Sequence, residues 1–334
     1  MQRRTRIRRL KRRFPSRNKN KRAGEKTIVS RDLCHHIASE VLKRKPQTAA
    51  KWIRAAILPA LPKRSNWHRE LRKLAASLDA MALGKKLNCR VFGHDGNGKL
   101  PFVFFSALPQ YTCPGAGECL DWCYSFTGWR HVSPFTRQVL NTMLLKHAPE
   151  YIAEEWKSLP NDIEVRLYVD GDFDSAETME FWFDLCRARP DLHIYGYSKS
   201  WALFIEHDRN GNGFPSNYVL NLSSGSKYEG IQGYADAMEG IKREDGGYLV
   251  RGYFVAVHIN GKGIPRGIKR YTVAEYHKRV REAAREEYGQ TPLSCPGDCG
   301  NCPGARQQCG LDRNEPKMVL IAIGVHGGKR TKAT

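Results

Sequence analysis

Residues 163–201 run IEVRLYVDGDFDSAETMEFWFDLCRARPDLHIYGYSKSW. Ile163–Val169 is a short apolar run rich in branched residues, which predicts a strand. Asp170, Gly171 and Asp172 interrupt it, and a helix is expected over Ser175–Ala188, with Cys186 in its apolar pattern. Leu192–Tyr197 is the next strand, and a short helix begins near Trp201. Two strands joined through a helix must lie parallel, because only a long crossover returns the chain to the same end of a sheet.

The same unit recurs on both sides. Upstream, Leu100–Leu108 (LPFVFFSAL) is a strand, followed by a loop of Cys and Gly and a helix near Thr136–Glu155. Downstream come strands at Tyr218–Leu222, Tyr253–Ile259 and Met318–Gly324, with a helix near Tyr234–Lys242 between the first two. Another helix starts at Thr272, whose partner Glu275 makes a capping box, and runs through Tyr276, Val280 and Ala284 to Gly289. Six β-then-α units predict an α/β fold on a parallel sheet, either doubly wound or a partial (βα)6 barrel. In both, functional residues sit in loops beyond the carboxyl ends of the strands.

Residues 30–84 have helical periodicity instead. Ser30 caps a segment burying Leu33, Ile37, Val41 and Leu42 that ends before Pro46. Thr48–Leu58 is a second segment, and Asn66 to Gly84 a third, with Gly84 suited to a C-cap. Lys43, Arg44, Lys45, Lys51, Arg54, Lys63, Arg64, Arg69, Arg72 and Lys73 decorate them, as in a small DNA-holding helical domain or a plain packing domain. The expected organisation is therefore a basic arm over 1–28, a basic helical region over 29–90, an α/β domain over 91–325 with a Cys-rich insertion at 293–312, and a basic tail over 326–334.

Charge supports that division. The 334 residues hold 55 Lys plus Arg against 34 Asp plus Glu, a net +21, and residues 1–28 alone carry +12 of it. So dense a block of like charge repels itself and buries no apolar area, which predicts a disordered arm. Arg3, Arg4, Arg6, Arg8, Arg9, Lys11, Arg12 and Arg13 are its candidate contacts to nucleic-acid phosphates, giving affinity without base specificity. The start has no apolar h-region and no run is long enough to span a bilayer, so a cytoplasmic protein away from membranes is expected.

Ten cysteines without an export signal point to metal rather than disulfides. Cys113, Cys119 and Cys123 crowd the loop after the first strand; Cys295, Cys299, Cys302 and Cys309 crowd the insertion. Four thiolates satisfy a tetrahedral Zn²⁺ or a [4Fe–4S] cluster, whereas three leave one position open for a ligand. The alternative is structural zinc at both, with His131, an acid or a distant Cys completing the first. Cys34, Cys89 and Cys186 are isolated and fit ordinary buried thiols.

Other candidates cluster at strand ends. Asp170 and Asp172 suit a divalent ion or a turn, and Asp174, with Glu177 three residues on, suits a helix N-cap. Ser198, Lys199 and Ser200, then Asn221, Ser223 and Ser224, then His258 and Asn260 follow later strands and would converge on one mouth. Lys199 there suits an anionic ligand. There is no phosphate-loop lysine motif, zincin helix or nucleophile elbow.

A three-Cys loop after the first of six βα units resembles the radical S-adenosylmethionine core, a partial (βα)6 barrel. Trp122 before the last Cys matches that family's aromatic residue, and Asp170-Gly171-Asp172 stands where the family has a Gly-Gly-Glu type motif for the amino group of S-adenosylmethionine. The spacing departs from it: Cys-x5-Cys-x3-Cys here, against the usual Cys-x3-Cys-x2-Cys, a spacing met instead at Cys295, Cys299 and Cys302. Those resemble auxiliary-cluster segments of some members. More closely, TCPGAGECLDWCYS, RLYVDGDFDS and HIYGYSKSW resemble the phage and mobile-element family called gene product eighty-eight, across roughly residues 90–325. Together the resemblances imply an iron–sulfur, radical-type protein acting on or beside nucleic acid in a phage or plasmid setting. S-adenosylmethionine would be met by Asp170, Gly171, Asp172, Ser198, Lys199, Asn221 and Ser223. The rival expectation is a non-enzymatic nucleic-acid-binding protein with structural Cys sites.

Overall fold

The computed structural model describes residues 29–93, 102–259, 271–297, 299, 302 and 307–325. The arm, Asn260 and the basic tail lie outside the described residues. Among the described residues seven strands form one parallel sheet: β1 (Val103–Phe104), β2 (Glu164–Leu167), β3 (His193–Ser198), β4 (Tyr218–Ser223), β5 (Val250–His258), β6 (Leu293–Ser294) and β7 (Val319–Val325). Their order is β1-β2-β3-β4-β5-β7-β6.

That order settles the choice between the two windings. A doubly wound sheet reverses direction at a switch point, sending helices to both faces. Here β1 to β5 are laid down side by side in chain order, so crossovers of the usual hand put their helices on a single face. The packing agrees. Val165, Leu167, Ile194, Tyr218, Leu220 and Leu222 point into the main core with the helices α8 (Ala176–Arg187) and α9 (Trp201–Arg209). Val255, Val257, Leu320 and Ala322 meet Val280 and Ala284 of α11 (Val273–Tyr288). The alternate residues, Tyr195, Val219 and Ile321 with Tyr197 and Phe254 beside them, form a separate cluster on the other face that includes Cys309. The sheet is thus singly wound, with a helix-covered outer face and an inner face lined by aromatic and polar side chains, as in a partial barrel.

The outer core is built on aromatic edges. Trp182 of α8 lies 4.7 Å from Phe105 and 5.8 Å from Trp156, all fully buried. Each such side chain removes about 150–250 Å² from water, the largest apolar contribution a residue can make. The indoles stay satisfied, with Trp182 Nε1 donating to Tyr168 Oη at 3.0 Å and Trp156 Nε1 to the Leu185 carbonyl at 2.8 Å.

The N-terminal helices are α1 (Arg31–Leu42), capped by Ser30, α2 (Pro46–Trp52) and α3 (Asn66–Ala82), capped by Ser65. The helix expected at Thr48–Leu58 begins earlier, because Pro46 occupies its first turn, and loosens into a π turn at Ile53–Ile57. Their buried faces join the sheet's outer core, with Trp67 against Phe135 at 5.7 Å. Two short helices, α4 (Cys119–Trp122) and α5 (Ser125–Gly128), follow β1. The long helix expected at Thr136–Glu155 is two, α6 (Val132–His147) and α7 (Glu150–Lys157), divided at Ala148 and Pro149, where proline removes a ladder donor. α10 (Tyr234–Gly240) and the Thr272-capped, Gly289-terminated α11 lie where expected. Among the described residues no helix is long and apolar enough to cross a membrane.

Candidate functional site

Strand β2 ends at Leu167, two residues before its expected end, because Tyr168 takes φ +53°. A bulky residue rarely adopts this left-handed conformation, and the fold holds it there by burying the ring and bonding its hydroxyl to Trp182. The turn aims Val169–Asp172 at the loop after β1, where Val169 N donates to the Phe105 carbonyl at 2.9 Å and Ala107 N to that of Asp170 at 2.9 Å. Gly171 follows at φ +81°, and a Cβ there would stand 2.7 Å from Thr112 Oγ1, so this close approach requires glycine.

The cysteine loop is pinned from the other side. Gly117 N and Cys119 N donate to the Gly225 carbonyl at 2.9 and 3.3 Å, and Lys227 N donates to that of Gly115 at 2.9 Å. Ser226 Oγ donates to the Lys199 carbonyl at 2.8 Å. A Cβ on Gly115 would come within 1.9 Å of the Lys199 carbonyl oxygen. The long first spacing therefore has a structural cause: Pro114–Glu118 crosses the end of β3 to reach the turn after β4 before the chain returns with Cys119.

These loops border a solvent-open cleft of about 120 Å³ at the carboxyl ends of the strands. Cys113, Cys119 and Cys123 line it from β1, Asp170, Gly171 and Asp172 from β2, Lys199 from β3 and Ser223 from β4. Arg166, Tyr197 and Tyr168 are among the lining residues that the sequence did not single out. Alternation along β2 and β3 would have put Arg166 and Tyr197 on one face, but only the winding shows that this face is the inner one.

Not every expected residue reaches the cleft. Ser198 is buried on the outer side, its Oγ accepting from Ser200 N at 2.9 Å. Asn221 lies below the cleft on the inner face, with Nδ2 donating to the Cys309 carbonyl at 2.8 Å. His258 and His131 are exposed and outside the lining. Asp174 is not the cap of α8: Ser175 is, its Oγ accepting from Thr178 N at 3.2 Å.

Asp172 is 3 % exposed and already committed. Its Oδ2 accepts from Lys199 N at 2.7 Å and Oδ1 from Phe173 N at 2.8 Å, so it ties the β2 loop to the end of β3. Burial nevertheless raises its carboxyl above the usual range, outweighing those bonds. Asp170, by contrast, makes no side-chain hydrogen bond or ion pair among the described residues while lining the same cleft. Lys199 Nζ donates to Ser223 Oγ at 2.6 Å and has no carboxylate partner among them.

Burial pushes the Cys113 thiol well up, helped by Asp172 and by the other two thiols; it raises Cys119 too, against the pull of Lys199. Among the described residues no three His, Cys, Asp or Glu side chains already stand in ligating positions. The donor set still fits a metal. Three soft sulfurs face one cleft, two of them held protonated by burial, and a thiophilic cation would displace their protons. Cys34 and Cys186 are fully buried in the outer core and Cys89 contacts Ser77, as ordinary thiols would.

The insertion cysteines lie on the inner face beneath the cleft, where Cys309 packs with Tyr195, Val219 and Ile321 and Cys295 borders the same cluster. Burial raises Cys295 to about 11 and Cys309 to about 12.

Comparison with known proteins finds no match among curated proteins or among solved structures. A family model described as Gene product 88 matches residues 68–247, from the first turn of α3 to the turn before β5. That span covers more than half of the chain and holds the three-Cys loop, the Asp-Gly-Asp turn and Lys199, so the chain belongs to the Gene product 88 family.

Proposed function

We propose that the protein is a metal–thiolate enzyme of the radical S-adenosylmethionine type, working on or beside nucleic acid in a phage or plasmid setting. Cys113, Cys119 and Cys123 would hold a [4Fe–4S] cluster at the mouth of the sheet, leaving one position open. The supporting observation is the convergence, in a singly wound parallel sheet, of three thiols from β1 with the Asp-Gly-Asp turn from β2 and Lys199 from β3 on one cleft. Bound there, such a cluster would supply one-electron reducing chemistry toward S-adenosylmethionine.

The chain's own residues bind and orient. Asp170 offers an uncommitted carboxylate to an ammonium group, and Lys199, steadied by Ser223, offers a cation to a carboxylate. Asp172 acts through the backbone, fixing where Lys199 stands. Leu120 and Tyr124, exposed beside the thiols, form an apolar rim that limits water at the open position.

Iron, sulfide and zinc content of anaerobically purified protein, with its absorption spectrum, tests this. About four irons per chain or more, with a broad thiolate–iron band near ~400 nm, is the expected result. Reduced protein should then cleave S-adenosylmethionine, and Cys113→Ser, Cys119→Ser or Cys123→Ser should abolish cleavage. An intact cluster that leaves S-adenosylmethionine whole would sink the proposal.

One observation favours a second reading, a nucleic-acid-binding protein with structural zinc. Lys51 and Arg72 on the N-terminal helices, and Lys45, Lys63 and Arg64 in the turns between them, are exposed, and none forms an ion pair among the described residues. Zinc without iron in the purified protein would select it.

A further inference from the structure

Arg166 and Arg251 differ from the partly buried arginines that pair with carboxylates, and Arg251 at least donates to the Asp312 carbonyl at 2.9 Å. Arg189 pairs with Asp191 at 2.7 Å, Arg243 with Asp312 at 2.7 Å and Arg187 with Glu244 at 2.9 Å. Arg166 stands on β2 facing inward, its guanidinium 4.4 Å from the centre of the Tyr197 ring, with no carboxylate in ion-pair range among the described residues. Its Nε is buried without a hydrogen-bond partner. A half-buried guanidinium with an unpartnered buried Nε and no carboxylate in range is poorly compensated, so the position points to an anion of another kind.

The insertion supplies one. Its described residues 307–312 are held on the inner face by hydrogen bonds from Gln307 N to Glu164 Oε1 at 2.8 Å and from Asn221 to the Cys309 carbonyl. Gly310 lies so close that a Cβ would stand 3.0 Å from the Tyr195 ring. Backbone N–H groups already aim at two of the sulfurs: Gly297 N at Cys295 Sγ, 3.4 Å, and Gln308 N at Cys302 Sγ, 3.3 Å. The charge of Arg166 acts on Cys295, Cys299 and Cys309, and the Tyr197 ring that it covers bears its hydroxyl against Cys309.

We propose that Cys295, Cys299, Cys302 and Cys309 form a four-thiolate metal centre on the inner face of the sheet, and that Arg166 is its internal countercharge. A divalent ion held by four thiolates is a net dianion, and so is a four-thiolate [4Fe–4S] centre in its usual oxidised state; either is the anion that Arg166 lacks. With all four positions filled by protein, the centre binds no substrate. It staples the insertion across the inner face and sets, with Arg166, the floor of the cleft. The centre stands whether or not the cleft cysteines hold a cluster.

The test uses the full chain carrying Cys113→Ser, Cys119→Ser and Cys123→Ser, titrated anaerobically with Co²⁺, whose thiolate charge-transfer absorption reports the remaining site. One equivalent should bind. Arg166→Met should weaken it by about 10- to 100-fold, the range for a lost outer-shell partner, and Arg166→Lys should recover most of the loss. Arg166→Gln, which keeps a polar side chain in place, is the second variant where Arg166→Met does not fold. In the unmodified chain, zinc loading followed by alkylation and mass spectrometry should protect Cys295, Cys299, Cys302 and Cys309 as a set. Alkylation of those four in zinc-loaded protein would overturn the centre. Unchanged cobalt affinity in Arg166→Met or Arg166→Gln would overturn the role of Arg166.

Discussion

Replacing Asp172 by alanine should unfold more than a surface aspartate would, and the structure says by how much. The carboxylate accepts from Lys199 N and Phe173 N at 2.7 and 2.8 Å, at a site 3 % exposed. Alanine would leave two buried donors unmet, and at roughly 1–3 kcal/mol each the loss is about 2–6 kcal/mol. Urea unfolding followed by far-UV circular dichroism measures it, as a lower midpoint at unchanged slope. Asp172→Asn adds a test of charge. Because burial raises the folded-state carboxyl above its unfolded value, the folded state binds the extra proton. The aspartate's contribution is therefore greatest below the unfolded value, near 4, and declines as pH rises through the raised folded value. Asparagine has no such proton, so the stability of wild type relative to Asp172→Asn should fall as pH rises from about 4. A loss under about 1 kcal/mol in Asp172→Ala would mean that the two N–H groups find other acceptors. A pH-independent difference between wild type and Asp172→Asn would refute the burial argument.

Gly115→Ala should destabilise by about 1–3 kcal/mol or more, the usual cost of overpacking, since its Cβ would meet the Lys199 carbonyl at 1.9 Å. Gly84→Ala, at positive φ but in open space, is its control for backbone strain alone. Lys199→Met should slow iodoacetamide alkylation of Cys119 near pH 8, because Lys199 holds that thiol down and its loss leaves less thiolate; peptide mass spectrometry reads the rate, and an unchanged rate would place Lys199 elsewhere. Deleting residues 1–28 removes +12 of charge, so binding to mixed-sequence DNA should weaken and its salt dependence flatten. Equal slopes of log K against log salt for both chains would remove the arm from the interface.

Much of the fold was legible because strands and helices announce themselves by period. Ile163–Val169, Leu192–Tyr197 and Tyr218–Leu222 each lie within two residues of the observed strand ends, and Ser30, Thr272 and Gly289 do the capping their side chains suit. Some errors were local, as at Pro46, Pro149 and the Ser175 cap, and one fell where a long-range contact overrode the local pattern. Tyr168 leaves the strand because Trp182, fourteen residues on, holds its hydroxyl. Asp174 loses the cap to Ser175, which sits one residue nearer the first turn of α8.

The cysteines, their two groupings and the series of βα units are properties of the chain alone, since spacing and periodicity need no partner to be read. Strand order is not. Nothing local tells a strand which neighbour it will pair with, so only the tertiary structure chose the single winding that gives the sheet an inner face. That choice turned Arg166 from one more strand arginine into a cation between two sets of thiols. It also separated Lys199 and Ser223, in the cleft, from Ser198 and Asn221, outside it, because alternate residues of one strand point to opposite faces and successive ones on the same face sit at different depths.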